Sequence, residues 1–331
     1  MTSQRVEVAI IGAGTAGCFI ASLLDEAGVS CRLIEKSRGL GGRCSRRRID
    51  DNYSVDLGAP EFAMDVALDP LLLAKQQAWI RAGFVSAWQR PSSTFAAPAD
   101  TQLLTTFCAT PSMNTWHKQV AGHIDTLTGQ RVQRLQKSAG RWQLLDENGR
   151  VLTEADKVIV TSPAEQAYDL LKYFSGFEDC KTVSDASLAQ SVCAVGFAQP
   201  LNLSADVYRG GHPLLAAAIL ESSKPARATP RGLAEVWMLH STEAHAEQQS
   251  VSALVEAFCQ HFAIEQEPQL LTSHYWRLSR HDTSVRQGRP FIWNQALQIG
   301  CCGDWLDTGD MQGALNSSLQ LFRVIHPAQE E

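Results

Sequence analysis

The segment Val6-Glu7-Val8-Ala9-Ile10-Ile11-Gly12-Ala13-Gly14-Thr15-Ala16-Gly17 constrains the fold more than any other part of the chain. A short β-branched run, Val6 to Ile11, stops abruptly at glycines spaced G-x-G-x-x-G. Cys18 to Ala27 then reads as a helix closed by Gly28, and Ser30 to Ile34 as a second strand. Together they make a β-turn-α-β unit of about 30 residues. A dinucleotide pyrophosphate needs close approach to backbone N–H groups at a helix N-terminus, where the dipole favours negative charge, and glycine permits that approach. Gly12, Gly14 and Gly17, with Thr15 and Ala16 between them, meet the need, and Glu35 at the end of the second strand can accept hydrogen bonds from ribose hydroxyls. A glycine-rich turn alone is common; strand, helix, strand and acid in register predict a dinucleotide site.

A second element follows at Glu35-Lys36-Ser37-Arg38-Gly39-Leu40-Gly41-Gly42-Arg43. It resembles the second phosphate-binding loop of the glutathione-reductase-like FAD proteins. Gly41 and Gly42 let the backbone bend round a ribityl-pyrophosphate, and Arg43 can pair with it, Lys36 lying in the same stretch. The third element is Cys302-Gly303-Asp304, where the strand Leu297 to Cys302 runs into a turn before the helix Met311 to Val324. In that FAD family the Asp hydrogen-bonds the ribityl chain, and the helix N-terminus faces the pyrimidine edge of the flavin. Here that implies Met311, Gln312, Gly313 and Ala314. The cofactor expected is therefore FAD, held non-covalently.

At 331 residues the chain is too long for one ordinary core and predicts two domains with a cleft between them. Further strands are read at Tyr53 to Leu57, Arg131 to Lys137, Arg141 to Asp146, Lys157 to Thr161, Ser191 to Ala198 and Ala234 to Ser241. Helices are read at Asp69 to Ala82 and Glu243 to Phe262, and a basic loop at Lys36 to Arg48, whose Arg46-Arg47-Arg48 run reads as a solvated surface turn. The fold class expected is α/β: a discontinuous Rossmann-type FAD-binding domain (1–66, 103–172 and 281–331) with an inserted α+β substrate domain (67–102 and 173–280).

A net charge of -6 argues against nucleic-acid or anionic-membrane partners. The nine scattered cysteines contain no C-x-x-C pair, so reduced, mostly buried thiols are expected. The opening residues carry no apolar leader pattern and no apolar stretch reaches bilayer length, so a cytoplasmic location is expected.

Along nearly its whole length the chain resembles the renalase-like flavoproteins, within the wider group of flavin-containing amine oxidases. The resemblance runs through Ile10-Ile11-Gly12-Ala13-Gly14, Gly41-Gly42-Arg43, Val55-Asp56-Leu57-Gly58-Ala59, Val158-Ile159-Val160-Thr161-Ser162-Pro163, Tyr275-Trp276-Arg277 and Cys302-Gly303-Asp304. It implies that Gly58 and Ala59 contact the flavin ring. Family members continue with Gln and an aromatic residue, whereas this chain has Pro60 and Glu61, a departure on the substrate side. Val132, in a predicted strand, either contacts adenine through its backbone, as in such folds, or is an ordinary strand valine. The reaction implied is hydride transfer from a dihydronicotinamide isomer to flavin N5, with reoxidation by dioxygen.

The flavin does the hard chemistry in such enzymes, so few catalytic side chains are expected. The candidates over the ring are Glu61, His240, His274, Trp276 and Arg277, with His274 and Trp276 on one strand face by period-two counting. No H-E-x-x-H or G-x-S-x-G occurs, and His240 and His245 lack metal-pair spacing, so no metal is expected. Two rival readings are a flavin amine oxidase and an FAD-binding protein that has lost turnover.

Overall fold

The computed structural model describes residues 4–64, 69–246, 251–285 and 288–327. The opening unit is β1 (Gln4–Ile11), α1 (Thr15–Glu26) and β2 (Cys31–Glu35). It is followed by β3 (Arg46–Arg48), β4 (Ser54–Asp56), α2 (Pro70–Arg81), β5 (Val85–Ser93), β6 (Gln102–Ala109), α3 (Thr115–Ala121) and β7 (Thr126–Thr128). Next come β8 (Arg134–Ser138), β9 (Arg141–Leu145), β10 (Val151–Val160), α4 (Ala164–Leu171) and α5 (Asp179–Asp185). The second half holds β11 (Ser187–Phe197), β12 (Val207–Arg209), β13 (Leu215–Leu220), β14 (Glu235–Ser241), α6 (Val251–His261) and β15 (Gln269–His281). The chain closes with β16 (Phe291–Asn294), β17 (Ile299–Cys302) and α7 (Met311–Ile325).

Two sheets organise these elements. The first runs β16-β17-β10-β1-β2-β7, with the β8–β9 hairpin attached to β10. Its central pairs, β17–β10, β10–β1, β1–β2 and β2–β7, are parallel. Strands covered on both faces need continuous apolar runs, and Val6, Val8, Ala9, Ile10 and Ile11 are all buried. One face packs on α1 and α7, the other on α4 and α5. This is a Rossmann-type dinucleotide-binding arrangement of class α/β.

The second sheet runs β15-β11-β14-β13-β12-β5-β6, antiparallel apart from β12–β5. Directly opposed residues share a face. Along one row Ala194, Met238, Ile219 and Val207 lie opposite one another, and all four join the core that includes α1 and Phe62. The other face, with Cys193, Leu239 and Ala218, packs against Leu254 and Phe258 of α6. The second sheet is thus clamped to the first domain through one apolar face.

Several elements differ from the sequence reading. Arg46–Arg48 is not a turn but an exposed strand paired with Ser54–Asp56. The Glu243 to Phe262 helix is a 3-10 turn at Glu243–His245 and a helix at Val251–His261, with 247–250 outside the described residues. Val132 precedes its strand, which starts at Arg134. The expected domain junction at 66–67 also lies outside the described residues, and the one at 103 falls within β6, which pairs with β5 along its length. Among the described residues no helix is long and apolar enough to cross a bilayer.

Candidate active site

The carboxyl ends of β1, β2, β10 and β17 open onto one cleft of about 2160 Å³, lined by Gly12, Glu35, Thr161 and Asp304 among others. Open parallel sheets bind ligands at this position. Single small-molecule pockets are typically about 300–1,000 Å³. The cleft has room for a dinucleotide and a second molecule.

At the nucleotide end, a Cβ on Gly17 would stand 1.9 Å from the Gly12 carbonyl oxygen, so Gly17 lets the helix meet the strand. Gly14 caps α1 without a side-chain hydrogen bond and has open space above it. Glu35 is buried, one carboxylate oxygen accepting from the Ala13 N–H (2.9 Å) and the other from the Ser37 N–H (2.7 Å). Each oxygen keeps a second lone pair for a ribose hydroxyl. Thr15 turns its hydroxyl to His117 Nε2 at 3.1 Å, behind the cleft. Ala16, Lys36, Gly41, Gly42 and Val132 line the cleft, with Lys36 Nζ on Gln166 Oε1 at 2.9 Å.

Arg43 and Asp304 form a bidentate pair. Arg43 also donates to the Ser279 carbonyl oxygen of β15 (3.0 Å). Three of its five N–H groups are thereby occupied and two remain for an anion. Burial opposes charge on Asp304, but Arg43 outweighs it and holds the carboxyl below the ordinary carboxylate range. Gly303 does not line the cleft; its N–H donates to Ser317 Oγ, and a Cβ would strike the Trp305 ring. At α7, Asp310 accepts from the Gly313 N–H (2.9 Å), so the amide expected to face the flavin is already capped. Met311 and Ala314 line the cleft, but Gln312 and Gly313 do not.

The middle of the cleft is bounded by Gly58 and Ala59. A Cβ on Gly58 would stand 1.9 Å from the Arg43 carbonyl oxygen and 3.5 Å from the Trp276 ring. Trp276 Nε1–H donates to the Leu57 carbonyl oxygen (2.9 Å), and its ring meets His274 edge to face, centroids 4.4 Å apart. The contact predicted by alternation is therefore present. Arg277 lines the cleft too, but from the opposite strand face, pairing with Glu165 of α4 at 2.6 Å and 60% exposed.

The inner wall belongs to the second sheet. His274, Val192, His240, Ala217 and Arg209 lie opposite one another on β15, β11, β14, β13 and β12, and Gln190 lies opposite Trp276 in the next row. His240 is buried and its Nδ1 lies 3.3 Å from Gln190 Oε1. The Gln190 amide nitrogen donates to the Ser241 carbonyl oxygen (3.0 Å), so Oε1 is the acceptor and His240 carries its proton on Nδ1. Among the described residues His240 Nε2 has no partner. Burial, and then Arg209, Arg280 and Lys224, push His240 down to about 3, which leaves it neutral.

Glu61, expected over the flavin as a reacting group, is committed elsewhere. It pairs with the buried Arg90, with Arg209 Nη2 (2.8 Å) and with Thr106 Oγ1 (2.7 Å). Burial opposes its charge, but Arg209, Thr106 and Arg90 together hold it below the ordinary carboxylate range. It stays ionised near neutral pH and orients arginines.

Sequence reasoning missed Arg209, Gln190, Arg280 and His281, all on the cleft. Arg280 was within reach of the same two-residue count that joined His274 to Trp276. The others depend on cross-strand register. It also missed the partners of Asp56, which sits in a buried network with Lys224, Arg227 and Glu221.

The cradle fits FAD: open backbone above Gly14, a diol acceptor at Glu35, free guanidinium N–H groups at Arg43, and a long continuous cleft. Comparison with known proteins agrees. Residues 10–66 match the NAD(P)-binding Rossmann-like domain, and residues 114–319 match the flavin containing amine oxidoreductase family. A protein assigned as a protoporphyrinogen oxidase from Exiguobacterium sp. 255-15 superposes with a TM-score of 0.71 at 12% identity, covering 98% of this chain and 99% of that one. Putrescine oxidase bound to putrescine gives 0.67 at 11%, covering 97% and 99%. An oxidoreductase from Methanosarcina mazei gives 0.65 at 13%, covering 96% and 100%. At these identities the likeness speaks for the fold alone. The family match spans more than half of the 331 residues, and with the cradle described above it makes this chain an FAD-dependent oxidoreductase of the flavin containing amine oxidoreductase family.

Proposed function

We propose that the protein is a renalase-like oxidase that removes a hydride from a small dihydronicotinamide-type substrate at the junction of the two sheets. FAD, when bound, supplies the hydride acceptor and its reoxidation by dioxygen. The protein's own part is to orient the substrate and exclude water.

The observation that carries this reading is the charge state of the inner wall. Glu61 is neutralised by Arg90 and Arg209 and His240 is neutral, and the remaining acid on this part of the cleft, Glu243, is exposed and acts on Arg280, so among the described residues no buried carboxylate of the inner wall is left to hold an ammonium group. An amine substrate binds best where carboxylates or an aromatic cage receive its cation. Here a single indole, Trp276, stands beside Gly58. A flat, neutral dihydropyridine ring can lie against that indole, and hydride donation from it needs no protein base.

The test is anaerobic bleaching of the bound flavin by dihydronicotinamide isomers and, separately, by a panel of amines. Rapid bleaching by a dihydronicotinamide alone is the expected result. Bleaching by amines alone overturns the proposal, as does a flavin that dithionite reduces but no dihydronicotinamide does.

A further inference from the structure

We propose that Arg209 and Arg280, with the free Nε2 of His240, form a subsite for an oxyanion carried by the substrate, a phosphate or a carboxylate, flanked by a hydrogen-bond donor. The inference rests on the reading of the inner cleft as the substrate chamber and names the class of molecule it takes.

The local charge does not balance. Glu61 carries one negative charge and faces two guanidinium groups, Arg90 and Arg209. Arg90 is 2% exposed and needs that carboxylate outright, which leaves Arg209, 41% exposed, with surplus charge toward the cleft. Arg280 lines the same cleft and makes no ion pair within 4 Å among the described residues. Burial, and then the neighbouring charge of Arg209, lower its guanidinium; Glu243, an exposed acid, is the counterweight. An arginine held by a carboxylate shifts the other way, as Arg43 does beside Asp304. Two like charges in a partly dry cleft repel unless an anion joins them. In a chain of net charge -6 such a surplus is local.

His240 completes the pattern. With its proton on Nδ1 toward Gln190, Nε2 offers a lone pair in the cleft that Arg209 and Arg280 also line, and no described residue uses it. A buried acceptor without a partner is destabilising. A substrate hydroxyl or amide N–H next to the oxyanion would satisfy it. Lys224, the other cation acting on His240, is already paired with Glu221 and Asp56. The subsite lies on the second sheet and the cradle of Gly14, Glu35 and Arg43 on the first, the two meeting where Arg43 donates to the Ser279 carbonyl oxygen.

The test uses the full chain loaded with FAD, so that the diphosphate cradle is filled. Inorganic phosphate and acetate are titrated at constant ionic strength, and binding is read by calorimetry and by the flavin spectrum. Saturable binding is expected, weakened about tenfold or more in Arg280→Gln and in Arg209→Gln, and unchanged in Arg81→Gln, an exposed control at the end of α2 that does not line the cleft. Whether phosphate or acetate binds more tightly tells which oxyanion the subsite takes. Flavin content and melting temperature show that each variant is folded. In the second arm, dihydronicotinamide mononucleotide is expected to bind about tenfold more tightly than the nucleoside without phosphate, and Arg280→Gln erases the difference. No saturable anion binding, or equal binding in all variants, overturns the subsite. Anion binding that the variants lose, with no bleaching by any dihydronicotinamide, keeps the subsite and removes the functional reading instead.

Discussion

Asp304 accepts from both terminal nitrogens of Arg43 across 261 positions of sequence, joining the turn after β17 to the loop after β2. The side chains are 9% and 28% exposed, so neither charge is well solvated alone. Breaking such a pair from one side leaves a stranded charge, at a cost of about 3–5 kcal/mol. Asp304→Asn is expected to lower the melting temperature and to release FAD during gel filtration, while Arg43→Lys, which keeps the charge but not the fork, is intermediate. An Asp304→Asn protein that melts like wild type and keeps its flavin shows that the pair does not hold the cradle together.

How much of this was legible in the sequence depended on range. The β1-α1-β2 unit declares itself because period, glycine spacing and Glu35 all act within a few turns of chain. The cofactor segments at Gly41-Gly42-Arg43 and Gly303-Asp304 were visible, but not that Arg43 and Asp304 bind each other. Arg277 and Trp276 are neighbours in sequence, but a strand sends them to opposite faces. Arg46–Arg48 escaped as a strand because an exposed pair of three-residue strands has no hydrophobic alternation to show. Arg209 became visible only through the register linking β12 to β15.

A second buried cluster sits where the domains meet. Asp56, next to the Leu57-Gly58-Ala59 stretch, pairs with Arg227 (2.6 Å) and Lys224 (3.4 Å) and accepts from the Met113 N–H (2.9 Å). Burial opposes charge on Asp56, and Lys224 and Arg227 overcome it. Asp56→Asn is expected to cost about 3–5 kcal/mol in urea unfolding. Joint replacement of Glu221 and Lys224 by Leu and Met is expected to cost less than Lys224→Met alone, because it removes two opposed charges together. If the double variant is the worse of the two, the cluster is not behaving as a balanced set.

Acid should weaken the fold in a defined window. Burial pushes His117 and His240 down to about 3 and His281 to about 4. An unfolded histidine titrates near about 6.5. Between those values the unfolded chain binds protons that the folded one refuses, so stability is complete above about 6.5 and falls as pH drops toward 4. Each such histidine contributes up to about 1.4 kcal/mol per pH unit. Asp304, depressed by Arg43, adds its loss only at lower pH, below the ordinary carboxylate value near about 4. Chemical denaturation at pH 7, 6 and 5 checks the slope, and His240→Gln should flatten it. A slope unchanged in that variant means His240 is protonated in the folded state or does not feel its burial.

Trp276 offers the sharpest separation between holding the cofactor and handling the substrate. Its Nε1–H bond to the Leu57 carbonyl oxygen pins the ring beside Gly58, and His274 braces its other side. Phe keeps a flat surface but loses the hydrogen bond and part of the ring area, whereas Ala opens the chamber to water and leaves a substrate ring nothing to lie against. Stopped-flow flavin reduction is expected to slow less than about tenfold in Trp276→Phe and about a hundredfold in Trp276→Ala, because a displaced donor loses its near-attack geometry. Both variants should retain FAD, since the cradle residues Gly14, Glu35 and Arg43 are untouched. Wild-type reduction in Trp276→Ala takes the indole off the substrate's path; loss of FAD from that variant assigns the ring to the cofactor instead.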